Sequence, residues 1–207
     1  MKLLEHYFPG INSVQVNQLI LLEQLLLDWN RKINVISRKD TQNIMLHHII
    51  HSLGIAIFFP FRDQTRILDV GTGGGLPGLP LAIFFPDCHF HLIDGTAKKI
   101  KLVKDIAGKL GLENVTAEQG RFENHPETYE FVVSRAVSNL ENFVSWMKPN
   151  TIIKKNRNEF PNGIIYLKGG EISEEIRKTN MRVSVYHLQN YFKEEFFNTK
   201  KIVHLYR

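Results

Sequence analysis

Cysteine is almost missing from this sequence: its 207 residues contain one, Cys88. A lone thiol cannot pair within the chain or build a cysteine-rich zinc site, so a disulfide scaffold is excluded and a reducing, cytoplasmic setting is expected. Long apolar runs are missing too. The stretch 41–61 carries no Asp, Glu, Lys or Arg, yet Gln42, Asn43, His47, His48, His51, Ser52 and Pro60 interrupt it, and a bilayer span needs about 20 apolar residues. No membrane partner is expected. The start Met1-Lys2-Leu3-Leu4-Glu5-His6 lacks the apolar core of a signal peptide, so no export is expected. Internal repeats are not visible. What is present is ordinary for a folded domain, 43% hydrophobic and 23% charged, with a net charge of +5 that favours a polyanionic partner such as nucleic acid.

The chain is long enough for one substantial core and short for two. Between Val14 and Trp29, the spacing of Leu19, Leu22, Leu25, Leu26 and Trp29 predicts one face of an amphipathic helix, with Ser13 as its N-cap. A second helix is expected over Gln42–Ile57, stopping at Pro60. These helices form an N-terminal appendage over residues 1–62, and residues 63–207 read as the main domain, the two making one compact unit. From Arg66 the texture alternates. Strands are expected at 67–70, 89–93, 115–118, 131–134 and 164–167, with helices at 79–85, 97–110 and 140–147. Strands separated by helical segments imply parallel pairing and an open α/β sheet. After a helix at 171–178, strands at 183–187 and 202–206 have no helix between them, which suggests an antiparallel hairpin at the sheet edge. The polar, basic stretch Asn150–Asn162 reads as a mobile loop.

The strongest chemical signal is Asp69-Val70-Gly71-Thr72-Gly73-Gly74-Gly75-Leu76-Pro77-Gly78, directly after the first strand of the alternation. Glycines allow positive φ and close approach of a ligand, and the helix that follows offers unpaired N–H groups. Asp69, Gly71, Gly73, Gly75 and Leu76 are therefore candidate ligand residues. GxGxxG spacing is met only loosely, with Leu76 in the last place, so a nicotinamide oxidoreductase stays open. Acidic Asp69 would oppose a pyrophosphate and suits an ammonium or a sulfonium, which favours S-adenosylmethionine. Asp94 ends the next strand, where a carboxylate can accept ribose hydroxyls of either cofactor. The third strand runs into Phe122 and Glu123, which could meet an adenine, and the fourth ends in Ser134-Arg135-Ala136-Val137. An Asn/Asp-Pro-Pro-aromatic motif is missing there, which argues against methylation of exocyclic amines, and Arg135 suggests anionic or guanine recognition.

Together the glycine string, Trp29-Asn30 with Asn34, Ser134-Arg135-Ala136 and Leu167-Lys168-Gly169 resemble the ribosomal RNA small subunit methyltransferase G family, also called glucose-inhibited division protein B. The resemblance covers about residues 25–175. It implies a Rossmann-like class I methyltransferase that uses S-adenosylmethionine to methylate guanine N7 in the decoding-region loop of small-subunit rRNA. Cofactor contacts then map onto Gly71, Leu76, the turn Asp94, Gly95, Thr96, Ala97, and Phe122, Glu123 and Arg135. The partner is small-subunit rRNA or the ribosomal subunit, and the chain is expected to be a monomer without an obligate protein partner. A methyltransferase acting on another RNA or on a small molecule, and an RNA-binding protein with a degenerate pocket, are the competing readings. The family often shows Arg-His-x-x-Asp-Ser where this chain has His47-His48-Ile49-Ile50-His51-Ser52.

Guanine N7 carries a lone pair and can attack a sulfonium methyl without first losing a proton, so no general acid or base is assigned. Arg135 and Lys168 are the candidates for holding guanine O6 or a phosphate. His47, His48 and His51 lack the Glu of a His-Glu-x-x-His site, so no metal is assigned to them, and polar contacts between appendage and main domain, or a rim for RNA, are expected instead. Arg31, Lys32, Arg38, Lys39, Lys154, Lys155 and Arg157 could gather on the substrate face. Packing against the sheet is expected for most of Tyr191, Phe192, Phe196 and Phe197.

Overall fold

The structure, a computed structural model, describes residues 2–122, 127–135, 140–146 and 151–207, apart from the Arg38 side chain. Expected site residue Glu123 lies outside them, as do Ala136 and Val137. The chain opens with a short helix not foreseen from the sequence, α1 (Lys2–Tyr7), followed by α2 (Ser13–Asn30). Asn12, not Ser13, caps α2. Its Oδ1 accepts the Gln15 backbone N–H at 2.9 Å, and the Gln15 side chain accepts the Asn12 N–H at 3.1 Å, a reciprocal box that Ser13 could not close in this register. Gln15 Nε2 also donates to the carbonyls of Ile83 and Phe84, tying the start of α2 to the main domain.

The second helix begins later than expected. Its first part, Met45–Ile50, is wound as a π-helix and runs directly into α3 (His51–Phe58). Then come β1 (Arg66–Val70), α4 (Gly78–Phe84), β2 (His89–Asp94), α5 (Ala97–Lys109), β3 (Val115–Gln119), β4 (Phe131–Arg135) and α6 (Leu140–Ser145). The chain ends with β5 (Gly163–Gly169), α7 (Ser173–Arg177), β6 (Arg182–His187) and β7 (Lys200–Tyr206).

The seven strands form one sheet in the order β3-β2-β1-β4-β5-β7-β6. β1 to β5 are parallel, while β7 runs antiparallel to both β5 and β6, so the expected hairpin is present with its second strand inserted inside the first. Central strands such as Phe131-Val132-Val133 are apolar on both faces because helices cover both. One layer packs Leu19, Leu22 and Leu26 of α2 with Leu81 of α4 and with Ile67, Phe131 and Ile165 of the sheet, so the N-terminal helices share the core of the main domain. The other layer joins Leu68, Val132 and Ile164 to Leu140 and Phe143 of α6. Sheet order reverses between β1 and β4, and the carboxyl ends of these strands are where open α/β sheets bind ligands.

The expected mobile loop is fastened over its described part, 151–162. Arg157 Nε donates to Glu130 at 2.8 Å and Nη2 to the Gln64 carbonyl at 2.9 Å, while Asn158 Oδ1 accepts the Arg62 N–H. These partners sit where β1 and β4 begin. Lys154, Lys155 and Arg157 therefore lie at the end of the sheet opposite the glycine turn. No helix among the described residues is long and apolar enough to cross a membrane.

Candidate active site

At the carboxyl ends of β1, β2 and β4 lies a crevice of about 530 Å³, within the range of small-molecule sites. Of the expected residues, Gly71, Gly73, Leu76, Asp94, Gly95 and Arg135 line it. Gly71 and Gly73 hold φ of +67° and +58°, which turns the loop so that the Gly73 N–H donates to Asp94 Oδ2 at 3.1 Å. Asp94 Oδ1 accepts the Thr96 N–H at 2.9 Å, and Lys99 Nζ approaches Oδ2 at 3.4 Å. Asp94 is thus fixed by backbone donors from both neighbouring turns.

Val35, Thr72, Gly74 and Lys99 also line the crevice and were not assigned from the sequence. Thr72 and Gly74 stood inside the glycine string, and Lys99 stands one helical turn beyond the Asp94 corner, so local signals existed for all three. Val35 had none. It arrives because Asn30 organises the loop after α2: its Oδ1 accepts the N–H groups of Val35 and Ile36, each at 2.9 Å, and its Nδ2 donates to the Ile36 carbonyl. Trp29 anchors the same corner through an Nε1 donation to Asp105 of α5 at 2.8 Å.

Four expected residues stand apart from the crevice lining, and the structure gives each another set of contacts. Asp69 does not line the crevice: it is fully buried, and its Oδ2 accepts from Thr72 Oγ1 at 2.6 Å and from the Gly78 N–H at 2.9 Å. Burial pushes its carboxyl up to about 7. It shapes the turn from below, and the carboxylate on the crevice wall is Asp94, so the preference for a cation over a diphosphate rests on Asp94. Gly75 is buried as well, where a Cβ would meet Leu79 Cδ1 at 2.3 Å, so its lack of a side chain makes room for Leu79. Phe122 belongs to the second core layer and stacks on Phe143 at 6.3 Å. Lys168 is held by Glu175 at 3.0 Å and lies over the Tyr166 ring, and it does not line the crevice. Thr96 and Ala97 stand exposed at the outer rim, beyond Gly95.

Arg135 ends β4 beside the turn. Its Nη2 donates to His48 Nδ1 at 2.7 Å and its Nη1 to the His47 carbonyl at 3.4 Å. Burial lowers the guanidinium to about 10, against the pull of Asp69 and Asp40, so it remains a cation. His47 bonds Asp40 at 2.9 Å and stacks on Phe196 at 3.9 Å, while His51 packs edge-on to Phe196 and Phe197. The histidines thus make the expected contacts between the N-terminal helices and the main domain. Phe192 and Phe197 are buried and Tyr191 is exposed.

The GidB family model, described as rRNA small subunit methyltransferase G, matches residues 15–203. The chain belongs to this family. Relatives named ribosomal RNA small subunit methyltransferase G include one from Flavobacterium johnsoniae, 51% identical, covering 96% of this chain and 94% of its own. Another from Christiangramia forsetii is 49% identical over 99% of this chain and 96% of its own. Among solved structures, a SAM-dependent methyltransferase from Aquifex aeolicus aligns with a TM-score of 0.56 at 16% identity, over 80% of this chain and 94% of that one. A precorrin-6y C5,15-methyltransferase from Geobacter metallireducens also gives 0.56, at 10% identity, over 84% and 91%. The fold is that of the class I S-adenosylmethionine-dependent methyltransferases. In this chain the glycine string and Arg135, distant in sequence, meet at one crevice.

Proposed function

We propose that the chain transfers the methyl group of S-adenosylmethionine to N7 of a guanine in the decoding-region loop of small-subunit rRNA. Family membership supports an rRNA methyltransferase, and one observation carries the finer reading: Arg135, a cation at the end of β4, shares its crevice with the glycine turn and Asp94.

The residues present fit the cofactor. Asp94 Oδ1 accepts only from Thr96 among the described residues, which leaves a lone pair for a ribose hydroxyl. An added Cβ at Gly73 would meet only the Gly71 carbonyl, at 3.9 Å, so the backbone is open to close approach. Bound there, S-adenosylmethionine supplies an electrophilic sulfonium methyl. Gly71, Gly73, Leu76, Asp94 and Gly95 would hold it, and Val35 closes the wall that faces Gly74.

Guanine N7 needs no base, and the crevice is consistent with that. Asp94 is the one carboxylate among the described lining residues, and its oxygens are engaged by Gly73, Thr96 and Lys99. Arg135 can donate to guanine O6, leaving N7 free for in-line attack. Orientation and exclusion of water then carry the rate. The test is incubation with labelled methyl donor and subunits from cells lacking the enzyme, followed by nucleoside analysis. Label is expected in 7-methylguanosine, and label in any other nucleoside refutes the assignment.

A further inference from the structure

We propose that His48 is a positioning residue for methyl transfer: it holds the Arg135 guanidinium against the crevice wall, and Asp40 sets the imidazole tautomer that allows it. The inference rests on the methyl-transfer reading of the crevice.

A guanidinium can only donate, so His48 Nδ1, 2.7 Å from Arg135 Nη2, must accept. A neutral imidazole has one acceptor nitrogen, which places the proton of His48 on Nε2. That nitrogen is buried, has no hydrogen-bond partner among the described residues and lies 3.9 Å from Asp40 Oδ2. The carboxylate is too distant to bond, but its negative charge favours the tautomer whose N–H faces it. Asp40 is in turn steadied by His47, whose Nδ1 is 2.9 Å from Oδ1. From the surface inward the order is carboxylate, neutral imidazole, guanidinium. Burial and the Arg135 charge hold His48 near a pKa of about 4, so the neutral form persists at physiological pH.

The backbone is built for this grip. Two adjacent residues hold the fork, His48 through its ring and His47 through its carbonyl, and both lie in the π-helical turn Met45–Ile50. Such turns are rare and often mark functional sites. The Ser52 hydroxyl donates to the His48 carbonyl at 2.6 Å, and Phe196 stacks flat on His47, fixing the turn from the C-terminal side. Among the described residues, the two bonds of Arg135 go to uncharged acceptors. Among the described residues its other N–H groups have no hydrogen-bond partner, and they can donate to an oxygen of the substrate.

The experiment uses full-length protein and the ribosomal subunit substrate. Replacing His48→Leu keeps bulk and removes the acceptor, whereas His48→Asn returns an oxygen near the position of Nδ1. His48→Leu is expected to lower kcat about 10- to 100-fold, the scale of a misplaced orienting group. Its affinity for S-adenosylhomocysteine, measured by calorimetry, stays within about threefold, and His48→Asn regains most of the loss. In an Arg135→Lys background, His48→Leu adds no further loss, because the two act as a unit. Equal losses for Leu and Asn, or multiplicative losses in the double variant, overturn the proposal. Should His48→Leu fail to fold, Asp40→Asn at the half-exposed end of the relay decides. A fall in kcat that vanishes in the Arg135→Lys background supports it, and an unchanged kcat overturns it. Absence of methylation by the wild-type chain would refute the functional reading instead.

Discussion

Asp69 and Gly78 close the glycine turn from beneath: the carboxylate of the next-to-last residue of β1 accepts the N–H of the first residue of α4 at 2.9 Å. A Cβ at position 78 would come within 2.7 Å of that same oxygen, so the contact itself requires glycine. The other oxygen, Oδ1, is buried and has no hydrogen-bond partner among the described residues. This half-satisfied group opposes folding once it ionises.

The sign follows from its raised carboxyl value. Folded Asp69 keeps its proton up to about pH 7, while the unfolded chain releases it near 4, so stability falls as pH rises between them. Asp69→Asn retains an acceptor for Gly78 and removes the charge. Relative to wild type it should gain on the order of a few kcal/mol between pH 4.5 and pH 8, read from urea unfolding at each pH. A difference that does not change with pH would show that Asp69 is ionised in the fold throughout.

Three buried histidines act in the opposite direction. His48 and His204 are lowered to about 4 and His51 lies well below its ordinary value, all chiefly through burial. Their stabilisation is complete above about pH 6.5, where both states are neutral, and is lost as pH falls towards 4, because only the unfolded chain is protonated there. Three such groups outweigh Asp69. Unfolding between pH 6 and 5 should take up more than one proton, so stability should drop by more than about 1.4 kcal/mol per pH unit. His204→Gln, which keeps a donor for the Pro161 carbonyl, should make the slope shallower.

Two adjacent glycines should answer alanine differently. At Gly75 the φ of +87° and the 2.3 Å approach to Leu79 Cδ1 make any side chain both strained and overpacked. A loss of about 2–4 kcal/mol is expected. At Gly74 a Cβ would meet Leu26 at 3.4 Å and Val35 at 3.5 Å, ordinary contact, and Gly74→Ala should change stability by less than about 1 kcal/mol. Thermal melts of the two variants provide the comparison.

Asn30→Ala removes three hydrogen bonds from the loop that brings Val35 to the crevice. It should cost about 2 kcal/mol of stability and leave backbone groups unpaired. It should also weaken S-adenosylhomocysteine binding several-fold by calorimetry. Weakened stability with unchanged binding would show that Val35 does not contribute to the site.

Much of the fold was legible because period and composition act locally. β1, β4 and β5 read as short apolar runs, α2 as an amphipathic face and α5 as a helical segment between two strands. The glycine turn was legible for the same reason, since positive φ demands particular residues at particular places. Residue roles within it were not. Asp69 looks like a ligand group in sequence and is a buried brace, and Gly75 looks like a glycine for ligand approach and makes room for Leu79. Lys168 looks like an RNA contact and is engaged by Glu175, whose distance along the chain gives no hint of the pairing.

Chain order by itself determined the alternating elements, the turn after the first strand and the family, because each depends on neighbours within about ten positions. Tertiary structure alone decided which side of the turn faces the crevice, why Val35 is there, and that residues 151–162 sit at the far end of the sheet. It also brought His48 to Arg135. These are outcomes of which strand ends coincide and which polar atoms remain unpaired when the core closes, and no local pattern encodes them.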